Sequence, residues 1–165
     1  MDKPDAAEAL QTLCAKLLSA MKAQGLTLSG AESLTGGLVA ASLVSVPGAS
    51  AVFKGSLVTY CDTCKAAWLS VPEEVLEADG AISAACAKSM AEGARAAAKA
   101  DIAYATTGNA GPDAQEGKPV GLVYVAAANK EKTMVRELRL AGGREEIRLA
   151  AARSALMLCE ACIKE

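Results

Sequence analysis

The 165-residue sequence contains no histidine, one phenylalanine, one tryptophan and three tyrosines. Without histidine, the usual partner of a serine or cysteine nucleophile is missing, so an activated hydroxyl must pass its proton to a lysine, a carboxylate or a tyrosine. Aromatics at 3% leave too few rings to stack along a single-stranded nucleic acid. Dense runs of lysine or arginine are also missing and the formal net charge is −2, so a nucleic-acid partner is not expected, although one phosphate could be bound locally. No apolar run approaches the roughly 18 residues of a membrane span, and Met1-Asp2-Lys3-Pro4-Asp5 carries no charged-then-apolar signal pattern. The expectation is a soluble cytoplasmic protein with no membrane partner.

What is abundant is alanine, within an apolar fraction of 52%, which favours closely packed helices over an aromatic-rich binding surface. A chain of this length suits one compact domain over residues 1–165, able to bury about two-thirds of its unfolded surface.

Apolar spacing of Leu10, Leu13, Cys14, Leu17, Leu18 and Met21 predicts a helix from about residue 4 to 24, stopped at Gly25. Residues 26–30 read as a short strand. Ser33 or Thr35 can cap the next helix, which Pro47-Gly48 ends. Residues 51–60 are strand-like, 61–69 and 72–78 suggest two short helices, and Ser83 is placed to cap a long alanine-rich helix to about Ala98. Residues 101–107 return to strand character, followed by a turn-rich loop to Pro119. Residues 120–128 and 133–140 read as a hairpin, and a final helix reaches about Ile163. Five strands interleaved with helices imply an α/β fold, a three-layer α/β/α sandwich with a mixed, mostly parallel sheet.

Six cysteines include two C-x-x-C pairs, Cys61-Asp-Thr-Cys64 and Cys159-Glu-Ala-Cys162. The spacing suits a four-thiolate zinc site, yet both pairs lie in helical patterns rather than on glycine-rich knuckles. That context weighs against structural zinc and equally against a redox pair at 61 and 64. Cys14, Cys86, Cys159 and Cys162 all fall among alanines and leucines, as small hydrophobes.

In a fold of this kind ligands collect at the carboxyl ends of strands, and three turns compete. In Ala31-Glu32-Ser33-Leu34-Thr35-Gly36-Gly37, a serine follows a strand and the glycines let free amides approach a phosphate or an oxyanion. Ser33 and Thr35 are nucleophile or phosphate ligand on one reading and helix caps on the other. Glu32 is an orienting carboxylate or a solvated acid. In the second turn Tyr60 ends a strand and Lys65 lies in a helix's first turn, where the dipole disfavours its charged form and suits it to take a proton from Ser33. An exposed surface lysine is the bland alternative. In the third, Thr106-Thr107-Gly108-Asn109 presents hydroxyl and amide groups that serve a ligand or ordinary turn chemistry.

Together, Ala31-Glu32-Ser33-x-Thr35-Gly36-Gly37, Gly55-x4-Tyr60-x4-Lys65, Gly80-Ala81-Ile82-Ser83, Thr107-Gly108-x-Ala110-Gly111-Pro112 and Lys118-Pro119-Val120-Gly121 resemble the CinA carboxy-terminal domain family, with Arg144 and Arg148 completing the match. The resemblance implies the family's α/β/α fold, nicotinamide-nucleotide amidase activity on nicotinamide mononucleotide, a homo-oligomer of two or more subunits, and no metal or organic cofactor. It makes Ser33 the nucleophile and Lys65 the base, with Tyr60 and Thr107 orienting them. Amides around Thr35, Gly36 and Gly37, or around Thr107 and Gly108, hold the oxyanion. Glu32, Ser83 and Asn109 join the substrate-binding set, and Arg144 or Arg148 reaches the phosphate. Asp62, Cys64 and Asn109 depart from the family pattern. The carboxylate of Asp62 is expected to hold a proton on Lys65 and weaken it as a base, and a regulatory nucleotide-binding module without catalysis is the alternative function.

Overall fold

The computed structural model describes residues 5–163; expectations placed on residues 1–4 lie outside the described residues. Helix α1 (Ala6–Ala23) buries Leu10, Cys14, Leu17, Leu18 and Met21, the stripe that its helical spacing predicts. Strand β1 (Leu28–Glu32) follows, then α2 (Leu38–Val44), a single 3-10 turn at Ala49–Ala51 and β2 (Phe53–Val58). Two short helices, α3 (Asp62–Leu69) and α4 (Glu73–Ala78), lead to α5 (Ala84–Ala98). Strands β3 (Ile102–Gly108), β4 (Leu122–Ala128) and β5 (Thr133–Arg139) complete the sheet before α6 (Arg144–Ile163).

The five strands lie in the order β2-β1-β3-β4-β5. β1 runs parallel to both β2 and β3, whereas β3–β4 and β4–β5 are antiparallel. The carboxyl ends of β1, β2, β3 and β5 therefore share one end of the sheet, and the amino end of α6 returns to that same end.

Helices α1, α2 and α6 cover one face and α5 with α3 the other, as the α/β/α expectation required. The first face is packed with leucine, valine, isoleucine and Tyr104. The second is dominated by alanine, so α5 approaches the sheet closely. At Gly93 a Cβ would stand 1.9 Å from the Leu69 carbonyl oxygen, so only glycine lets α5 pass α3 there.

Two boundaries differ from the sequence reading. β1 starts two residues later than expected because Thr27 turns a corner, its amide and hydroxyl both donating to Asp101 Oδ2 at 2.8 and 2.7 Å. It runs on to Glu32, which pairs with Val58 and Thr106 on the flanking strands. β2 is shorter than residues 51–60, because residues 49–51 coil into the 3-10 turn and the pairing ends at Val58.

Candidate active site

The turn after β1 is organised from below by Glu32, which is fully buried. Its Oε2 accepts from Thr35 Oγ1 (2.7 Å), Gly37 N (2.9 Å) and Val39 N (3.2 Å). Its Oε1 accepts from Ala40 N (2.9 Å), Tyr104 OH (3.0 Å) and Ser56 Oγ (3.4 Å). One strand-end carboxylate thus satisfies the amides that open α2, the service expected of Ser33 or Thr35. The N-cap of α2 is Gly37, whose φ of +96° puts it in the left-handed region, and no side chain caps the helix. The capping reading of Ser33 and Thr35 is corrected, and so is the placing of Glu32 in the substrate-binding set: its carboxylate is spent inside the protein. Room for Tyr104 above β1 comes from Gly30, its register partner on β1, where a Cβ would lie 2.1 Å from the ring.

Thr35 is buried too. Because its hydroxyl proton goes to Glu32, the 2.7 Å contact with Thr106 Oγ1 must be donated by Thr106. Ser33 N donates to Thr106 O at 2.9 Å, extending the β1–β3 pairing by one step and fixing where the serine leaves the sheet.

Ser33 is half-buried, and its Oγ lies 3.2 Å from Lys65 Nζ. Lys65 is only 2% exposed, which removes the surface-lysine reading. Its Nζ also donates to Thr59 O at 2.9 Å, and among the described residues it forms no ion pair with a carboxylate. Asp62 is exposed at the first position of α3 and makes no such pair either, so the expected hold of Asp62 on Lys65 has no contact behind it. The Thr59 hydroxyl is buried and has no partner among the described residues.

The amides sort themselves around the serine. Gly36 N donates to Ser33 O at 3.0 Å and Gly37 N to Glu32, so neither glycine amide is free to hold an oxyanion. Among the described residues, no acceptor meets the N–H of Leu34 or of Thr35. Arg148 Nε and Nη2 donate to the carbonyl oxygens of Leu34 (3.0 Å) and Thr35 (2.8 Å). In a trans peptide the N–H points opposite to the C=O, so gripping the Leu34 carbonyl turns the Thr35 N–H away from Arg148. Arg144 closes the neighbouring side, donating to Tyr60 OH at 2.9 Å and to Gly111 O at 2.5 Å. Tyr60 is 62% exposed and, among the described residues, hydrogen-bonds neither Ser33 nor Lys65.

The remaining expected residues are brought to the same end of the sheet but turned inward. Thr107 Oγ1 donates to Ala81 O at 2.6 Å, so its hydroxyl ties the third turn to the segment before α5 and does not reach Ser33 or Lys65. Ser83 caps α5, accepting from Cys86 N at 3.1 Å and donating to Gly80 O at 2.8 Å. Asn109 is buried, its Oδ1 taken by Gly111 N and its Nδ2 by Lys118 O. A Cβ on Gly108 would stand 2.7 Å from Leu122 O, so that glycine serves strand packing. These are the bonds of ordinary turn chemistry, and they correct the orienting role given to Thr107 and the substrate contacts given to Ser83, Gly108 and Asn109.

Sequence reasoning missed the Leu34 amide, the Thr59 carbonyl and the supports Ser56 and Tyr104. Adjacency to Ser33 and Tyr60 was the available signal for the first two. The supports carried none, because their partners lie on other strands.

A hydroxyl beside a buried amine, with two unpaired N–H groups next to it, is the inventory acyl transfer needs. A family model for the CinA C-terminal domain matches residues 10–163. The chain belongs to this family. As a CinA C-terminal domain it is 48% identical over 132 residues to the CinA-like protein of Frankia casuarinae, covering 80% of this chain and 30% of that one. Curated relatives are about three times as long as the part the chain spans, at 30–34% of their length. Among solved structures, a competence/damage inducible protein from Agrobacterium tumefaciens superposes with a TM-score of 0.91 at 37% identity, covering all of both chains. Competence damage-inducible protein A from Klebsiella pneumoniae gives 0.89 at 36% identity, covering 94% of this chain and 96% of that one.

Proposed function

We propose that the chain is a serine–lysine amidase that hydrolyses the carboxamide of nicotinamide mononucleotide to the nicotinic acid nucleotide and ammonia. The observation that carries the reading is the 3.2 Å approach of buried Lys65 Nζ to Ser33 Oγ. Ser33 Oγ attacks the carboxamide carbon while Lys65 takes its proton and returns it to the departing ammonia. Water, activated by the same lysine, then releases the acid from the acyl-serine. The N–H groups of Leu34 and Thr35 receive the developing oxyanion, each such donor being worth about 3 kcal/mol of barrier. Arg148 positions them, leaving Arg144 beside exposed Tyr60 as the cation for the substrate's phosphate.

Assembly into a homo-oligomer belongs to the same reading: β2 is an edge strand, and Val58 and Trp68 are 41% and 53% exposed. Incubation with nicotinamide mononucleotide and assay of ammonia tests the activity. Release of ammonia that is lost in Ser33→Ala and Lys65→Met supports it. Saturable binding without turnover in the unaltered protein would replace the amidase with a regulatory nucleotide-binding module.

A further inference from the structure

Of the two C-x-x-C pairs, only one is built for chemistry. Cys159 and Cys162 are buried in α6, and burial pushes both thiols up. Cys14 and Cys86 are buried as well, their thiols pushed up to about 11 by the same cause. Cys61 is different: it is exposed and occupies the N-cap of α3, with Cys64 half-buried one turn along. Cys61 Sγ lies 3.2 Å from Thr63 Oγ1, a hydrogen-bonding contact within the first turn of α3. Two cysteines three residues apart at the start of one helix share a face, with Cβ atoms about 5–6 Å apart, so a modest contraction of the turn brings them to disulfide distance.

The backbone links this pair to Lys65. Lys65 follows Cys64 directly, and its N–H donates to Cys61 O at 3.1 Å, so the lysine is tied to both cysteines. We propose that Cys61 and Cys64 form a thiol–disulfide exchange site for low-molecular-weight disulfides, and that closing their bond draws Lys65 away from Ser33. The second half rests on the amidase reading; the first does not.

The step balances without a cofactor. The Cys61 thiolate attacks one sulfur of a disulfide R–S–S–R, forming a mixed disulfide and releasing R–S⁻. Cys64 gives up its proton to that thiolate and attacks Cys61 Sγ, forming the Cys61–Cys64 bond and expelling the second R–S⁻. Two protein thiols are oxidised and one small disulfide is reduced to two thiols. Hydrogen bonding, chiefly from Thr63, lowers the Cys61 thiol to about 7, which favours it as the attacking thiolate. The Cys64 thiol is shifted upward, chiefly by the neighbouring Cys61 thiol, which suits it to the second, resolving step. Closing the bond takes Cys61 Sγ off Thr63 and tightens the turn that carries Lys65. A shift of about 1 Å at a base costs on the order of a hundredfold in rate.

The test treats the full chain with oxidised glutathione at neutral pH, alkylates the remaining thiols and maps peptides by mass. The expected product is a Cys61–Cys64 disulfide two hydrogens lighter than the dithiol, while Cys64→Ala stops at a glutathione adduct on Cys61. Turnover of nicotinamide mononucleotide falls about a hundredfold on oxidation, returns with dithiothreitol, and is insensitive to oxidation in Cys61→Ala. Trp68, the chain's one tryptophan, sits one turn beyond Cys64 in α3, and its emission shifts on oxidation whether or not the protein is an amidase. Failure to form the Cys61–Cys64 bond in the folded protein overturns the exchange site. A disulfide that forms with turnover or, in an inactive protein, Trp68 emission unchanged overturns the coupling. Absence of turnover in the fully reduced protein counts against the amidase reading alone.

Discussion

The turn after β1 and the loop after β3 leave the same end of the sheet, and both are dense in hydroxyl and amide groups. They use them in opposite ways. In the loop, Thr107, Asn109, Glu116 and Lys118 all bond to the chain itself, pinning it to residues 79–82 and to its own backbone. In the turn, Glu32 and Thr35 are spent inward, and doing so leaves the Ser33 hydroxyl facing only Lys65 and the amides of Leu34 and Thr35 facing nothing in the described chain. A ligand site is thus marked less by which polar residues gather than by which of them remain unpaired once the fold has taken its share.

The sharpest way to break the comparison is to change the turn. Ser33→Ala and Lys65→Met are each expected to lower ammonia release by about a thousandfold or more, with unchanged circular dichroism. A Ser33→Ala protein that retained a tenth of its turnover would remove the turn's special status. Next comes Glu32→Ala, which strands up to six donors, three buried and three partly buried, at about 1–3 kcal/mol for each buried one before relaxation. The expected loss is about 3–5 kcal/mol in urea unfolding. If Glu32 instead touched substrate, KM would rise with little loss of stability.

How much of this was legible in the sequence differs between the same two regions. The order of elements, the mixed sheet and the stripe on α1 followed from periodicity, which is local and repeats. Ser33 and Lys65 stood out because both follow strands in a chain with no histidine to serve as base. Their 3.2 Å approach was not legible, since it depends on β1 and β2 being parallel neighbours. Glu32 was misjudged because a carboxylate beside a serine carries no mark of burial, and its partners Tyr104 and Ser56 sit on two different strands. Thr107 and Asn109 were misjudged for the converse reason: hydroxyl and amide groups in a glycine-rich loop look available until Ala81 and Lys118 are seen to take them.

On the loop side the expected effects are smaller and concern stability. Thr107→Val leaves the buried side chain in place but orphans Ala81 O, for a loss of about 1–3 kcal/mol. Its kcat/KM is expected to stay within about threefold of the parent once both are assayed folded, whereas an orienting role toward Ser33 or Lys65 would lower kcat at unchanged stability.

The mildest effect is one of pH, through the clasp at Glu116. Its Oε1 accepts from Ala81 N at 2.9 Å and its Oε2 from Ile82 N at 3.1 Å, with Lys118 Nζ 3.1 Å from Oε2. Partial burial pushes this carboxyl up, but the Ile82 and Ala81 amides and Lys118 outweigh it and hold it below its ordinary value of 4.5. A carboxyl lowered by folding stabilises the protein above its unfolded value and loses that contribution as pH falls through the folded one. The clasp should therefore be intact near neutral pH and weaken only below about pH 4.5. The urea midpoint of the parent is expected to drop more steeply in that acid range than that of Glu116→Gln, and the two proteins should release ammonia at similar rates near pH 7. Parallel acid profiles would mean that the clasp binds no more tightly as a carboxylate than as an amide. A fall in turnover at neutral pH in the variant would mean that the loop after β3 acts on the serine turn as well as bracing its own end of the sheet.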